Sequence, residues 1–360
     1  MNDDPQKTDS CPAHGCSRVD DGPESFHPQS ASCSAAAVAI PVATAQPRPT
    51  AQVAIFLCTC NGQDHLVEQL ESIARQSWPA WFVALSDDGS TDRTLDIARL
   101  YQARWGAQQF SIWHGPQRGF AHNFLSCTRH RKLVAEFYAW CDQDDVWHPD
   151  KLTNAVCWLQ SVPADIPALY MGRTQLISEK GRHLGHSPRF RRRASFANAL
   201  VQNIGGGNTM VFNHAARMLL CEADAQLERL SLDVVSHDWW SYLLVTGVGG
   251  QVLYDARPYV GYRQHGHNLV GANTGWAARW LRLRQLFRGR FRDWNTTNIA
   301  ALETLKPRLT NENRARLEQF KKLRTEPVTA RLMGVWRTGL YRQTLLGTLG
   351  LWLAAVTGVL

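Results

Sequence analysis

The chain has 360 residues, enough for one large domain and a smaller appendage. An apolar fraction of 44% with 10% aromatics excludes a chain dominated by disorder, and nine cysteines, an odd number without a regular framework, suit reduced thiols in a cytoplasm. Thirty-nine basic against 31 acidic residues give a formal charge of +8, which points to anionic partners: phosphorylated substrates, a membrane surface or nucleic acid.

Residues 1–51 are rich in Pro, Ser, Ala and Asp and show no helical or strand period, so a disordered arm is expected there. Its acidic start is unlike the basic region of an export signal, and the Ala-rich stretch 35–45, broken by Pro41, is too short to span a bilayer. Cys11 and Cys16 flank His14, but no second ligand pair follows at zinc-finger spacing. Cys58, Cys141 and Cys157 sit in apolar or mixed runs, as core thiols do.

From Gln52 the character changes. Val53 to Leu57 is a continuous apolar run that suits a strand buried on both faces. Asn61 to Asp64 breaks it, and Leu66, Leu70 and Ile73 follow at helical spacing until Pro79. Trp81 to Leu85 is the second strand; Leu95, Ala98 and Tyr101 mark the next helix; Phe110 to Trp113 and Phe137 to Cys141 are strands three and four. The alternation predicts an α/β fold with a mostly parallel sheet flanked by helices. Beyond Asp150, short strands are expected at Ala168 to Gly172, Thr209 to Phe212, Gln251 to Tyr254 and Tyr259 to Arg263, with a helix from His237 to about Val245. From Trp276 the chain turns helical and basic, with Trp276, Trp280, Leu283, Phe287, Phe291 and Trp294 along one face among arginines; Leu345 to Leu360 is almost wholly apolar. Residues 52–275 thus read as the main domain and 276–360 as a helical extension.

Two acidic clusters carry the chemistry. Asp87-Asp88-Gly89-Ser90-Thr91-Asp92 and Asp142-Gln143-Asp144-Asp145 each follow a buried strand, at the carboxyl end where open α/β sheets bind ligands. Three carboxylates in four positions repel one another, and hard Mg²⁺ or Mn²⁺ would relieve them. Asp87 or Asp88 could accept hydrogen bonds from a base or ribose, while Ser90 or Thr91 caps the next helix. The run His186 to Arg193 is basic with one aromatic, either a solvated loop or a contact for a phosphate-linked acceptor. Gly205-Gly206-Gly207 is no phosphate loop, because no Lys-Ser/Thr pair follows. No helix-turn-helix, finger or RNA-binding motif accompanies the basic charge, so nucleic acid is not expected as a partner.

The clusters resemble those of glycosyltransferase family 2, inverting enzymes of GT-A fold (a Rossmann-like nucleotide-diphospho-sugar transferase fold). Ala54 to Gly62 resembles the opening strand and turn of that family, and Gly119 to Phe124 its Gly-x-x-x-Asn segment. Gly206 to Asn213, His237 to Trp240 and Tyr262 to Asn268 are similar to the subgroup called rhamnosyltransferases. The resemblance implies roles. Thr59, Asn61, Asp64, Asp87, Asp88 and Asn123 would hold the nucleotide sugar. Asp142 and Asp144 would form an Asp-x-Asp pair on a divalent metal and the diphosphate, and Arg263 and His265 would meet the diphosphate. Asp238 would be the general base, although the family often has Glu where this chain has His237. Trp239 and Trp240 would offer flat faces to an acceptor sugar, or else pack the core. The donor implied is dTDP-L-rhamnose, with a UDP-hexose as the alternative and a non-catalytic binding module as a weaker one. The acceptor implied is a saccharide or lipid-linked chain in cell-surface polysaccharide assembly. The enzyme would lie on the cytoplasmic face of the inner membrane, held by the aromatic and basic helix, unless that helix packs its aromatic face against the catalytic domain.

Overall fold

The computed structural model describes residues 51–130, 132–264 and 290–360. The arm expected over residues 1–51 lies outside the described residues except for Ala51. So do Cys11, Cys16, His265 and the part of the aromatic stripe from Trp276 to Phe287.

Strand β1 (Val53–Thr59) is buried along its whole length and shows why. Its side chains alternate, Val53, Ile55 and Leu57 facing one core and Ala54, Phe56 and Cys58 the other. Helices α1 (Leu66–Ala74) and α2 (Thr94–Trp105) cover the first face, joined there by α4 (Lys151–Leu159). Helices α3 (Phe120–Cys127), α5 (Phe196–Ala199), α6 (His214–Leu230) and α7 (His237–Gly247) cover the second.

Strands β2 (Trp81–Asp87), β3 (Phe110–His114) and β4 (Phe137–Cys141) run parallel with β1, in the order β3-β2-β1-β4. Because β2 and β4 lie on opposite sides of β1, the helices leave in opposite directions and a crevice opens at the carboxyl ends. Both acidic clusters sit on its rim. Beyond β4 the nine-stranded sheet is mixed. Strand β8 (Val211–Asn213) is antiparallel to both β4 and β6 (Ala168–Ser178). Strand β9 (Gln251–Gln264) runs parallel to β6; β5 (Val146–Trp147) pairs antiparallel with β9, and β7 (His183–His186) with β6.

Several expectations change. The two strands expected at 251–254 and 259–263 are one strand, because Pro258 falls at a register irregularity opposite Arg173. Thr209 to Phe212 divides into a 3-10 turn, Gly207–Thr209, and β8. Helix α6 escaped the sequence reading, although Leu219, Leu220, Ala223 and Leu227 repeat at helical spacing behind the cap that Asn213 Oδ1 provides to the Ala216 N–H at 3.0 Å. Cys58 and Cys141 are buried thiols, but Cys157 is exposed.

The C-terminal helices α8 (Phe291–Thr304), α9 (Asn311–Leu323), α10 (Val328–Thr338) and α11 (Leu345–Thr357) share the core of the α3/α6/α7 face through Leu302, Leu317, Phe320, Val335 and Leu351. Asn313 Nδ2 donates to the carbonyls of Thr246 and Gly247 at 3.0 Å each, fastening α9 to the end of α7. The described end of the aromatic stripe turns inward: Phe291 is buried, and Trp294 meets Trp239 edge-on at 6.1 Å. Among the described residues no helix is long and apolar enough to cross a membrane.

Candidate active site

The first acidic cluster is tied up by its own loop and its neighbours. Asp87 ends β2 opposite Thr59 in register, and its carboxylate accepts from Thr59 Oγ1 (2.8 Å), Ser90 Oγ (2.6 Å) and the N–H groups of Gly89 (3.2 Å) and Ser90 (2.9 Å). It is 3% exposed. Asp88 accepts from the N–H groups of Gln117 (2.6 Å) and Gly119 (2.9 Å), tying the loop before α3 to the end of β2. Asn61 bridges to the same loop: its N–H donates to Ser90 Oγ and its Oδ1 accepts from the Thr91 N–H, each at 2.8 Å. Its φ of +51° is in the left-handed region, which Asn tolerates better than most residues. Asn123 is buried, and both its amide atoms face Ser86, which fixes α3 against β2. Asp64 is exposed in the turn before α1.

The second cluster is held from beneath and crowds its carboxyls above. Asp145 is fully buried and accepts from Asn208 Nδ2 (2.5 Å) and the Arg263 N–H (3.3 Å). Arg263 is 1% exposed; its guanidinium donates to the Asp144 carbonyl (2.9 Å), the Glu179 carbonyl (2.6 Å) and Glu68 (2.6 Å). It therefore positions the loop that carries Asp144. Gln143, which the sequence did not single out, clamps Cys60 at two points: its Oε1 accepts from the Cys60 N–H at 2.9 Å and its Nε2 donates to the Cys60 carbonyl at 3.1 Å. The clamp requires glycine at 62, where a Cβ would lie 2.2 Å from Gln143 Oε1.

Asp238 reaches this place from the first turn of α7. Its carboxylate accepts from the Trp239 N–H (2.6 Å), the Gly207 N–H (3.2 Å) and Ser236 Oγ. The glycine run has a packing reason, since a Cβ on Gly207 would stand 2.2 Å from His237 Nε2. His237 is 4% exposed and stacks on Phe124 at 3.8 Å. Burial pushes its imidazole down to about 4, against a smaller opposing effect of Asp238, so the ring is neutral at physiological pH. The stacking reading of Trp239 and Trp240 is corrected: Trp240 is fully buried, and Trp239 is 6% exposed with Nε1 donating to the Ala199 carbonyl at 2.6 Å. Their faces belong to the core beneath α7.

The electrostatics identify what converges. Burial, then Asp144 and Asp238, push the Asp142 carboxyl up to about 8, with Lys151 opposing. Asp145 is raised well above its ordinary value by burial and by Asp144 and Asp142. Tyr262 is raised by burial and by all four of these carboxylates. Lys151, also missed by the sequence reading, is 1% exposed, with its Nζ 3.4 Å from the centre of the Trp147 ring; burial brings it down to about 7. Among the described residues no group of three or more His, Cys, Asp and Glu side chains is gathered as a metal site. The donor set at Asp142 and Asp144 nevertheless fits a hard cation held by one or two carboxylates and substrate phosphates, because carboxylates from separate elements crowd Asp142 and raise its carboxyl.

Residues 54–227 match the family model described as glycosyl transferase family 2. The dTDP-rhamnosyl transferase RfbG of Shigella flexneri is 28% identical over 256 residues, 68% of this chain and 83% of that protein. The putative glycosyltransferase EpsE of Bacillus subtilis is 31% identical over 109 residues, 30% of this chain and 38% of that one. Among solved structures, S. aureus TarS in complex with UDP-GlcNAc aligns with a TM-score of 0.45 at 14% identity, over 81% of this chain and 93% of that one.

Proposed function

Starting from residues 54–227 as a glycosyltransferase family 2 domain, we propose that the chain is a metal-dependent inverting enzyme that moves a sugar from a nucleotide donor to a saccharide or lipid-linked acceptor. The observation that carries this reading is the meeting of carboxylates from separate elements: Asp142 and Asp144 behind β4, and Asp238 from α7, whose charge raises the Asp142 carboxyl. Asp142 and Asp144 would hold Mg²⁺ or Mn²⁺, which when bound supplies neutralisation of the leaving diphosphate. Asp238 takes the proton from the attacking acceptor hydroxyl, while the Gly207, Trp239 and Ser236 donors fix the direction of its carboxylate. Displacement at the anomeric carbon through an oxocarbenium-like transition state needs a single base, and inverts the centre. Thr59, Asn61 and the Asp87-Asp88 loop form the nucleoside side of the crevice, with Asp64 exposed at its edge. Similarity to RfbG, a dTDP-rhamnosyl transferase, supports dTDP-L-rhamnose as the donor; the setting we propose, polysaccharide assembly at the cytoplasmic face of the membrane, rests on the resemblance read from the sequence motifs.

The test is a panel of nucleotide sugars with Mg²⁺ and lipid extract, following nucleoside diphosphate release. dTDP-L-rhamnose should be consumed fastest, and Asp238→Asn and Asp144→Ala should abolish release. Preferred use of a UDP-hexose would replace the donor reading. Release by both variants at the parent rate would overturn the catalytic one.

A further inference from the structure

Helix α11 contains no charged residue, yet one of its faces is open to water. Leu345 and Leu346 are 85% and 82% exposed, and Leu349, Leu353 and Val356 continue the same face at helical spacing. The opposite face is spent on the core through Leu351, Ala354 and Ala355. Helix α10 packs beside α11, with Arg331 Nη2 donating to the Val356 carbonyl at 3.3 Å, and it exposes Met333 and Trp336 (71%). So much large apolar surface on neighbouring helices calls for a partner.

What lies beside the face names the partner. The basic run that the catalytic reading left unused is fastened to the start of α11. Arg192 N–H donates to Gln343 Oε1 (2.9 Å), Gln343 Nε2 donates back to the Arg192 carbonyl (3.0 Å), the Arg192 guanidinium covers the Tyr341 ring at 3.8 Å, and Tyr341 Oη donates to the Arg193 carbonyl. Arg189, Arg191 and Arg193 are exposed beside it. An uncharged apolar face edged by exposed arginines matches a layer whose surface is anionic and whose interior is hydrocarbon. With 13 residues, α11 is about 20 Å long against a core of about 30 Å, so it lies in the interface and does not cross.

We propose that α10, α11 and the Arg189–Arg193 loop form a docking surface for an anionic lipid bilayer. This rests on the membrane-surface setting given above and moves the contact to these helices from the aromatic stripe, whose described members Phe291 and Trp294 face the protein. It does not rest on the assignment of catalytic residues.

The purified full chain is sedimented with vesicles of phosphatidylglycerol and phosphatidylethanolamine, and separately with phosphatidylcholine vesicles. The expected result is binding to the anionic vesicles, at least tenfold weaker for Leu345→Glu/Leu349→Glu. Arg189→Glu/Arg191→Glu/Arg193→Glu should lose the preference for anionic vesicles and its salt sensitivity. Circular dichroism checks folding, and Trp336→Gln provides a milder variant, expected to weaken binding several-fold. The proposal is overturned if the native chain stays in the supernatant, or if the glutamate variant binds as well as the parent. It is equally overturned if light scattering shows a native dimer that the glutamate variant splits while neither form binds vesicles. Donor turnover without vesicles is read on the same preparations, so failure of docking and failure of the catalytic reading are distinguishable.

Discussion

The two acidic clusters have similar composition and opposite electrostatics. In the first, Asp87 and Asp88 receive hydrogen bonds from six donors of neighbouring loops. Their charge is used to fold the crevice wall. In the second, Asp145 is anchored by Asn208 and Arg263, while Asp142 lies close enough to Asp144 and Asp238 for its carboxyl to rise to about 8. The difference teaches that a carboxylate run marks chemistry where its carboxyls crowd one another, and architecture where backbone N–H groups consume their charge.

The largest expected effect falls on Asp238. Asp238→Asn should lower turnover by about 10²–10⁴-fold at a cost of only about 1 kcal/mol in stability, because the amide oxygen still accepts from the Trp239 N–H and only the longer bond from the Gly207 N–H to the other oxygen is lost. Steady-state kinetics and a thermal melt check both halves.

Next is acid. His237 has a folded-state value of about 4 against 6.5 ordinarily, so between those pH values the unfolded chain binds the extra proton. Stability should therefore fall as pH drops from about 6.5 to 4, by up to about 3 kcal/mol from this group. Denaturant melts of His237→Phe, which keeps an aromatic ring on Phe124, should show a flatter acid limb.

Asp87→Asn should cost about 2 kcal/mol, since an amide cannot accept from all of Thr59, Gly89 and Ser90 and strands a buried donor. Urea unfolding measures it. Gln143→Ala should cost about 1 kcal/mol and raise the donor KM with little change in kcat, because it loosens only the clamp on Cys60 between the two clusters.

Much of this was legible in the sequence. The runs Val53 to Leu57 and Phe137 to Cys141 are apolar on both faces because the sheet is covered on both, and each leads straight into a functional loop. What escaped depends on three-dimensional pairing. Nothing in the string Asp-Gln-Asp-Asp says that Asp145 points down to Asn208 while Gln143 reaches across to Cys60. Lys151 looks like any helix-start lysine until Trp147 is seen beneath it. Trp239 and Trp240 offered two readings of equal merit, and burial decides for the core. The continuity of β9 was hidden by Pro258, which breaks strands except where the register already slips.

The most direct measurement pairs thermal unfolding at pH 7 in EDTA with turnover in Mg²⁺, for Asp87→Asn and Asp142→Asn side by side. Between its ordinary value of 3.8 and about 8, folded Asp142 holds a proton that the unfolded chain releases, so its carboxyl loses stability as pH rises through that window. Replacing it should raise stability by about 1–2 kcal/mol at pH 7 and cut turnover at least 100-fold, whereas Asp87→Asn should melt earlier. The contrary result is an Asp142→Asn protein that unfolds as early as Asp87→Asn, or one that releases nucleoside diphosphate at the parent rate.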